Sequence, residues 1–296
     1  MGGFEGGDEA GFWDIDTLPI SDNKKSKHAN KVKSDIEICG SLYSIKAHAK
    51  VTIFLKITGQ KDERFTLLSR VMRVEDLYDT ISFVPCICES FTVEGCDEIP
   101  IEANTIYKAY RALIDYTADT DIEEFFNEHK VVVTKGIPFQ AGLGGASSDA
   151  AAFMCLLKEA CNLVLSSDEL AKIGSSIDAD LPFFIYSYPS ANVSGFGEIV
   201  EPVEEKALKF EFYTPNVKCD TNVVCQALSQ ERLKNISVTS FSGWDKLDSK
   251  SILKLVSDPA ELNDLYAASL LACPELKKEA KEAWFFSGSS FFKPLD

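Results

Sequence analysis

From Ile36 onward, hydrophobic and polar positions fall into regular patterns. The stretch "DIEICGSLYSIKAHAKVTIFLKI" alternates and is rich in β-branched residues, which predicts one or two strands. "RVEDLYDTISFVPC" and "SFTVEG" read as further strands. "NTIYKAYRALIDYT" carries Ile106, Ala109, Tyr110 and Leu113 at helical spacing, with Asn104 placed to cap the first turn. A short strand, "KVVVTKGIPF", leads into "QAGLGGASSDAAAF", where Ser147 or Ser148 can cap a helix running to about Leu163, with Asp149 in its first turn. Ser166 and Glu169 fit a capping box for the next helix. "DADLPFFIYSYPSANVSGFGEIVEPV" reads as extended chain with turns at Pro189 and Gly195. Past residue 205 the pattern restarts. "LKFEFYTP" is a predicted strand, and "NVVCQALS", "SKSILKLVSD" and "CPELKKEAKEAW" are predicted helices. "FFSGSSFFKPL" reads as a closing turn and edge strand.

Strands separated by helices in both halves predict an α+β fold in two domains, split near residue 205. The 296-residue length suits two cores. Residues 1–36 carry no such pattern; they read as a polar leader, with a partner-binding arm as the other reading. That leader lacks the apolar run of a signal peptide and is too acidic for a transit peptide.

Charge and cysteines narrow the picture further. A formal net charge of −16 gives no counterion-release affinity for nucleic acid and little attraction to anionic membranes. No apolar run approaches the ~20 residues of a membrane span. The nine cysteines are odd in number and form no paired CxxC units, so neither a zinc site nor a disulfide framework is indicated. Cys155 and Cys161 read as small core residues, and the expected compartment is a reducing cytoplasm.

The chemistry concentrates in "QAGLGGASSDAA". It is not a Walker A loop, since no lysine follows the glycines, nor a dinucleotide fingerprint, since Ser147 stands where the last glycine belongs. Strand, bare turn, serine pair and helix start can cradle a phosphate, because glycines admit an anion and a helix N-terminus offers free N–H groups. A plain glycine turn before an ordinary helix is the competing reading.

Three stretches in order, "AHAKVTIFL", "PFQAGLGGASSDAA" and "DADLPFF", resemble the signatures of the GHMP kinases. "LYDTISF", "LSSDELAKIGSSIDADLPFF" and "GFGEIVEPV" extend the likeness from about Ile45 to Phe292. They are most similar to the branch whose acceptor is a cytidylylated methylerythritol, phosphorylated at its 2-hydroxyl in the non-mevalonate isoprenoid pathway. The resemblance implies an N-terminal domain (37–205) like the second domain of ribosomal protein S5, a ferredoxin-like C-terminal domain (206–296), and an active site in the cleft between them. It implies ATP and Mg2+ as cofactors, a small-molecule acceptor, and a monomer or homodimer.

Position by position, the resemblance makes Asp180 the catalytic base and Lys50 the lysine that orients the acceptor hydroxyl. Gly142, Leu143, Gly144, Gly145, Ala146, Ser147 and Ser148 hold the triphosphate, with Ser148 at the metal and Asn104 near the nucleotide. Phe65 and Thr52 fall on acceptor-binding positions. Thr66 replaces a family histidine, Thr52 a frequent asparagine, and His48 a proline, where it reads as structural. The C-terminal glycine motif is compressed to "SGSSFF". Two alternatives remain: a kinase of another small alcohol, of homoserine or mevalonate type, and a non-catalytic nucleotide or metabolite sensor. Retention of both Lys50 and Asp180 favours catalysis.

Overall fold

The computed structural model describes residues 35–61, 64–217, 219, 221–228, 243–281 and 283–295. The leader reading lies, up to residue 34, outside them.

A long hairpin organises the chain. Strands β1 (Ile36–Cys39), β2 (Leu42–Lys61) and β3 (Arg64–Pro85) are followed by β4 (Val93–Glu94), helices α1 (Thr105–Thr117) and α2 (Asp121–Asn127), and strand β5 (His129–Thr134). Then come α3 (Gly145–Ala160), α4 (Ser167–Ser175), α5 (Leu181–Tyr186), β6 (Ser190–Gly195) and β7 (Ile199–Pro202). These strands form one seven-stranded sheet of order β1-β2-β3-β5-β4; β6 joins β3 further along the hairpin, and β7 joins β6. A three-stranded sheet follows, of order β8-β10-β9, from β8 (Lys209–Tyr213), β9 (Phe285–Ser287) and β10 (Ser290–Leu295). Between β8 and β9 lie α6 (Thr221–Ala227), α7 (Ser249–Leu255), α8 (Pro259–Leu262), α9 (Tyr266–Ala272) and α10 (Leu276–Glu279). The fold is mixed α+β in two parts.

Strand β2 is buried on both faces from Ala47 to Phe54. Ile45 and Ala47 join β3, β5 and the helices in one core with Phe83, Leu113, Phe126, Phe153 and Leu157. Past a register shift at His48/Ala49, residues Ala49, Val51, Ile53 and Phe54 pack instead against Phe210, Trp244, Ile252, Phe285 and Phe292 of the C-terminal part. One strand thus serves two cores, and the change of partner falls beside Lys50.

Two buried ion pairs lock the parts together. Arg70, 0% exposed, bonds Asn192, Glu205, Ser249 and the carbonyls of Trp244, Asp245 and Leu247. Lys56 pairs with Asp264, whose other oxygen accepts from the Ile57 N–H at 2.8 Å.

Most predicted elements are present, and the exceptions have local causes. "LPFFIY" is the helix α5 rather than extended chain, because Pro182 stands in its first turn and Ser187 closes it in the left-handed conformation. The predicted helix over "CPELKKEAKEAW" shrinks to the four residues of α10. Strand β10 is the central strand of its sheet, not an edge.

Candidate active site

The glycine-rich segment turns sharply between β5 and α3. Gly142 and Gly144 adopt φ of 70° and 73°, a region that favours glycine. A Cβ on Gly142 would stand 2.4 Å from Gly288 Cα, so the loop lies glycine against glycine on the β9–β10 turn. Serines bind the pair: Ser287 Oγ donates to the Gly142 carbonyl at 3.3 Å, Ser289 Oγ to that of Gln140 at 2.5 Å, and Ser290 Oγ to that of Ala141 at 2.6 Å. The compressed "SGSSFF" motif is therefore the strap that holds the loop. Gly144 is bare for another reason: its Cβ would meet Phe184 at 2.6 Å and the Lys50 stem at 3.0 Å.

Helix α3 begins at Gly145 with Gly144 as its N-cap, and no side chain caps it. The expected serine cap is absent because both hydroxyls turn to other partners. Ser147 Oγ donates to Asp178 Oδ1 at 2.8 Å, whereas Ser148 Oγ donates to the His48 carbonyl at 2.7 Å. Ser148 is 2% exposed and faces inward, so the expectation that it meets a metal ion is not met; Ser147 is the serine beside the aspartates. Leu143 turns its side chain into the core, and its carbonyl accepts from the Lys50 N–H.

Lys50 and Asp180, 130 positions apart in the chain, meet across the loop. Lys50 Nζ lies 3.2 Å from Asp180 Oδ2 and donates to Thr52 Oγ1 at 3.1 Å. The lysine side chain is 11% exposed and the aspartate 40%, so the carboxylate is the open member. Thr52 is thereby a partner of the lysine. Its own N–H donates to Ser287 Oγ at 3.2 Å, which ties it to the strap. Asp180 stands at the N-cap position of α5, and its N–H donates to Asp178 Oδ1 at 2.9 Å. Burial first, and the neighbouring Asp180 second, push the Asp178 carboxyl above its ordinary range.

Other expected residues fall elsewhere. Asn104 is buried and its side chain accepts from the Ile106 N–H at 2.9 Å, so it is the helix cap; its neighbour Thr105 reaches the loop by donating to the Ala146 carbonyl. Phe65 packs half-buried with Ile57, Val224, Leu228 and Ala268, opposite Gln60 at the far end of the hairpin. His48 is structural: it sits against Tyr78 with Nδ1 on the Val74 carbonyl, and burial lowers its pKa.

The sequence reading missed Lys135 and Asp178. Lys135 Nζ lies 3.6 Å from where a Cβ of Gly145 would stand, held there by Asp79 and by Asp149 Oδ2 at 2.9 Å. The signal was available in "TKGIPF", a cation where the strand enters the loop. Asp149, expected to serve the helix dipole, is buried and faces Lys135 instead.

The site brings together a glycine-lined helix start, Lys50 and Lys135 beside it and the open carboxylate of Asp180, and residues 104–188 match the family described as the GHMP kinases N terminal domain. A 4-diphosphocytidyl-2-C-methyl-D-erythritol kinase of Sulfurovum sp. (strain NBC37-1) is 56% identical over 257 residues, which are 86% of this chain and 100% of that protein. The same kinase of Sulfurimonas denitrificans is 43% identical over 84% of this chain and 95% of its own length. The chain belongs to the 4-diphosphocytidyl-2-C-methyl-D-erythritol kinase family, and it is an enzyme that transfers a phosphoryl group to an alcohol. Among solved structures, a 4-(cytidine 5'-diphospho)-2C-methyl-D-erythritol kinase aligns with a TM-score of 0.61 at 22% identity, covering 85% of this chain and 89% of the other. The mevalonate kinase of Methanococcus jannaschii aligns at 0.57 and 16%, covering 88% and 92%; these two likenesses concern the fold. No helix among the described residues is long and apolar enough to cross a membrane.

Proposed function

We propose that this kinase transfers the γ-phosphoryl group of ATP to the 2-hydroxyl of 4-diphosphocytidyl-2-C-methyl-D-erythritol. The observation that carries the reading is the Lys50–Asp180 pair at 3.2 Å, set across the glycine loop in a chain 56% identical to a kinase of that name. Phosphoryl transfer asks mainly for positioning and charge neutralisation. The main chain of Gly142–Ser147 and the N-terminus of α3 hold the phosphates, with Lys135 as the neighbouring cation. Asp180 takes the proton from the acceptor hydroxyl. Lys50, held by Thr52, orients that hydroxyl and offsets charge on the moving group.

A divalent ion fits the residues present, and we assign it Mg2+. Ser147 Oγ and Asp180 are hard oxygen donors, and Asp180 is the open carboxylate beside Lys50. Among the described residues no group of three His, Cys, Asp or Glu forms a protein cage. Mg2+ is usually held by one or two carboxylates together with substrate phosphates. When bound, it neutralises charge on the β- and γ-phosphates. In this reading residues 37–205 carry the nucleotide, residues 206–296 close the acceptor side, and the protein works in the cytoplasm as a monomer or homodimer.

Phe65 lies eight residues along β3 from Arg73, the partner of Lys50, roughly 25 Å of strand, which is longer than the extended acceptor, so the base is not assigned to Phe65 in this reading. The test is phosphorus NMR of a reaction holding ATP, Mg2+ and that acceptor. A new phosphomonoester signal, absent with Asp180→Asn although ATP still binds, is the expected result. An unchanged spectrum overturns the assignment.

A further inference from the structure

Resting on that reading, we propose that Asp178 is a positioning residue which fixes the catalytic aspartate relative to the nucleotide cradle. A single oxygen does this. Asp178 Oδ1 accepts from Ser147 Oγ at 2.8 Å and from the Asp180 N–H at 2.9 Å. The first donor belongs to the opening turn of α3, the second to the residue that carries the base. No other hydrogen bond given by the described residues joins the Asp178–Asp180 segment to α3.

The rest of the segment is held from two further sides. The Asp178 N–H donates to the Gly174 carbonyl at 3.1 Å, anchoring it to the end of α4, and the Leu181 N–H donates to the Asp178 carbonyl at 3.2 Å. Across from α3, Gly197 presses on Ala179; a Cβ there would stand 2.3 Å from the Ala179 carbonyl oxygen. The α4 anchor sets where the segment enters and Gly197 sets its outer limit. Neither sets its distance from the phosphate loop. The forked acceptor at Asp178 ties it to the opening turn of α3, and the Lys50–Asp180 contact at 3.2 Å holds the carboxylate from the β2 side. Loss of the fork leaves Asp180 held by the lysine alone and free to shift relative to the phosphates while the helices on either side remain packed. Displacement of a reacting group by about 1 Å can cost on the order of 100-fold in rate.

The experiment compares Asp178→Ala and Asp178→Asn with the parent, measuring kcat, KM for the acceptor, ATP affinity by calorimetry, and melting temperature. Asp178→Ala is expected to lower kcat about 10- to 100-fold, leaving ATP affinity within about 3-fold and melting within a few degrees. Asp178→Asn keeps an acceptor oxygen in the same place and is expected to recover most of kcat. Parent-like kcat in Asp178→Ala overturns the proposal. So does an asparagine variant as slow as the alanine variant, which would make charge rather than the fork the operative property. A parallel fall of kcat, ATP affinity and melting temperature overturns it too, as a purely structural role. Absence of turnover in the parent enzyme would refute the assigned reaction instead, and separates the two failures.

Discussion

Lys50 and Asp180 are far apart in sequence and 3.2 Å apart in space, and the reaction assigned here depends on that meeting. Replacing the base by Asp180→Asn is expected to lower kcat by about 10²- to 10⁴-fold with ATP affinity intact, measured by ADP release and calorimetry. Asp149 carries a different expectation. Burial pushes its carboxyl up to about 8 despite Lys135 beside it. The folded protein therefore holds that proton more tightly than the unfolded chain. The stability this gives is full below the ordinary value of 3.8 and is lost as pH rises through about 8. Asp149→Asn cannot ionise, so thermal melts from pH 5 to 8.5 should show the variant gaining on the parent as pH rises. Residues of this kind differ in how legible they are. Lys50, Asp180 and the glycines stand in recognisable motifs. Asp178 looks like any turn aspartate until its oxygen is seen holding two donors, and Ser147 and Ser148 are told apart only by what each hydroxyl faces.

At the scale of elements, periodicity carried far where one face is buried and the ends are capped. Helix α1 starts at the Asn104 cap and buries the four residues its spacing marks; the Ser166–Glu169 capping box is present. It failed where a short element is fixed by its neighbours. Helix α5 is an apolar run too short for periodicity to separate from a strand. The β9–β10 turn shows its role only against the loop it straps. That role has a measurable consequence. Gly288→Ala would drive a Cβ to 2.3 Å from Gly142 Cα at a residue whose φ is 68°. It is expected to cost about 1–3 kcal/mol and to raise KM for ATP. Gly197→Ala, pressing on Ala179 beside the base, is expected to lower kcat while sparing ATP affinity. Steady-state kinetics in each substrate distinguishes the two.

For the whole molecule, α+β character was readable, because strand and helix patterns succeed one another in both halves of the chain. The sharing of β2 between two cores was not, since alternation and β-branched residues mark a strand without saying what packs against each of its faces. Nor was the bonding of Arg70, which no local pattern distinguishes from a surface arginine. It ties β3 and β6 to the chain around Trp244–Ser249, and Arg70→Met leaves Glu205 buried without its cation, with only Ser190 and Ser249 donating to it among the described residues. A loss of about 3–5 kcal/mol is expected in urea denaturation, partly recovered by adding Glu205→Gln. The most direct test of the central claim is ADP release with ATP and Mg2+ across four acceptors: 4-diphosphocytidyl-2-C-methyl-D-erythritol, homoserine, mevalonate and galactose. Turnover with the cytidylylated acceptor alone is the expected result. Turnover with another acceptor and not with that one contradicts the account, as does ATP binding without turnover on any of the four.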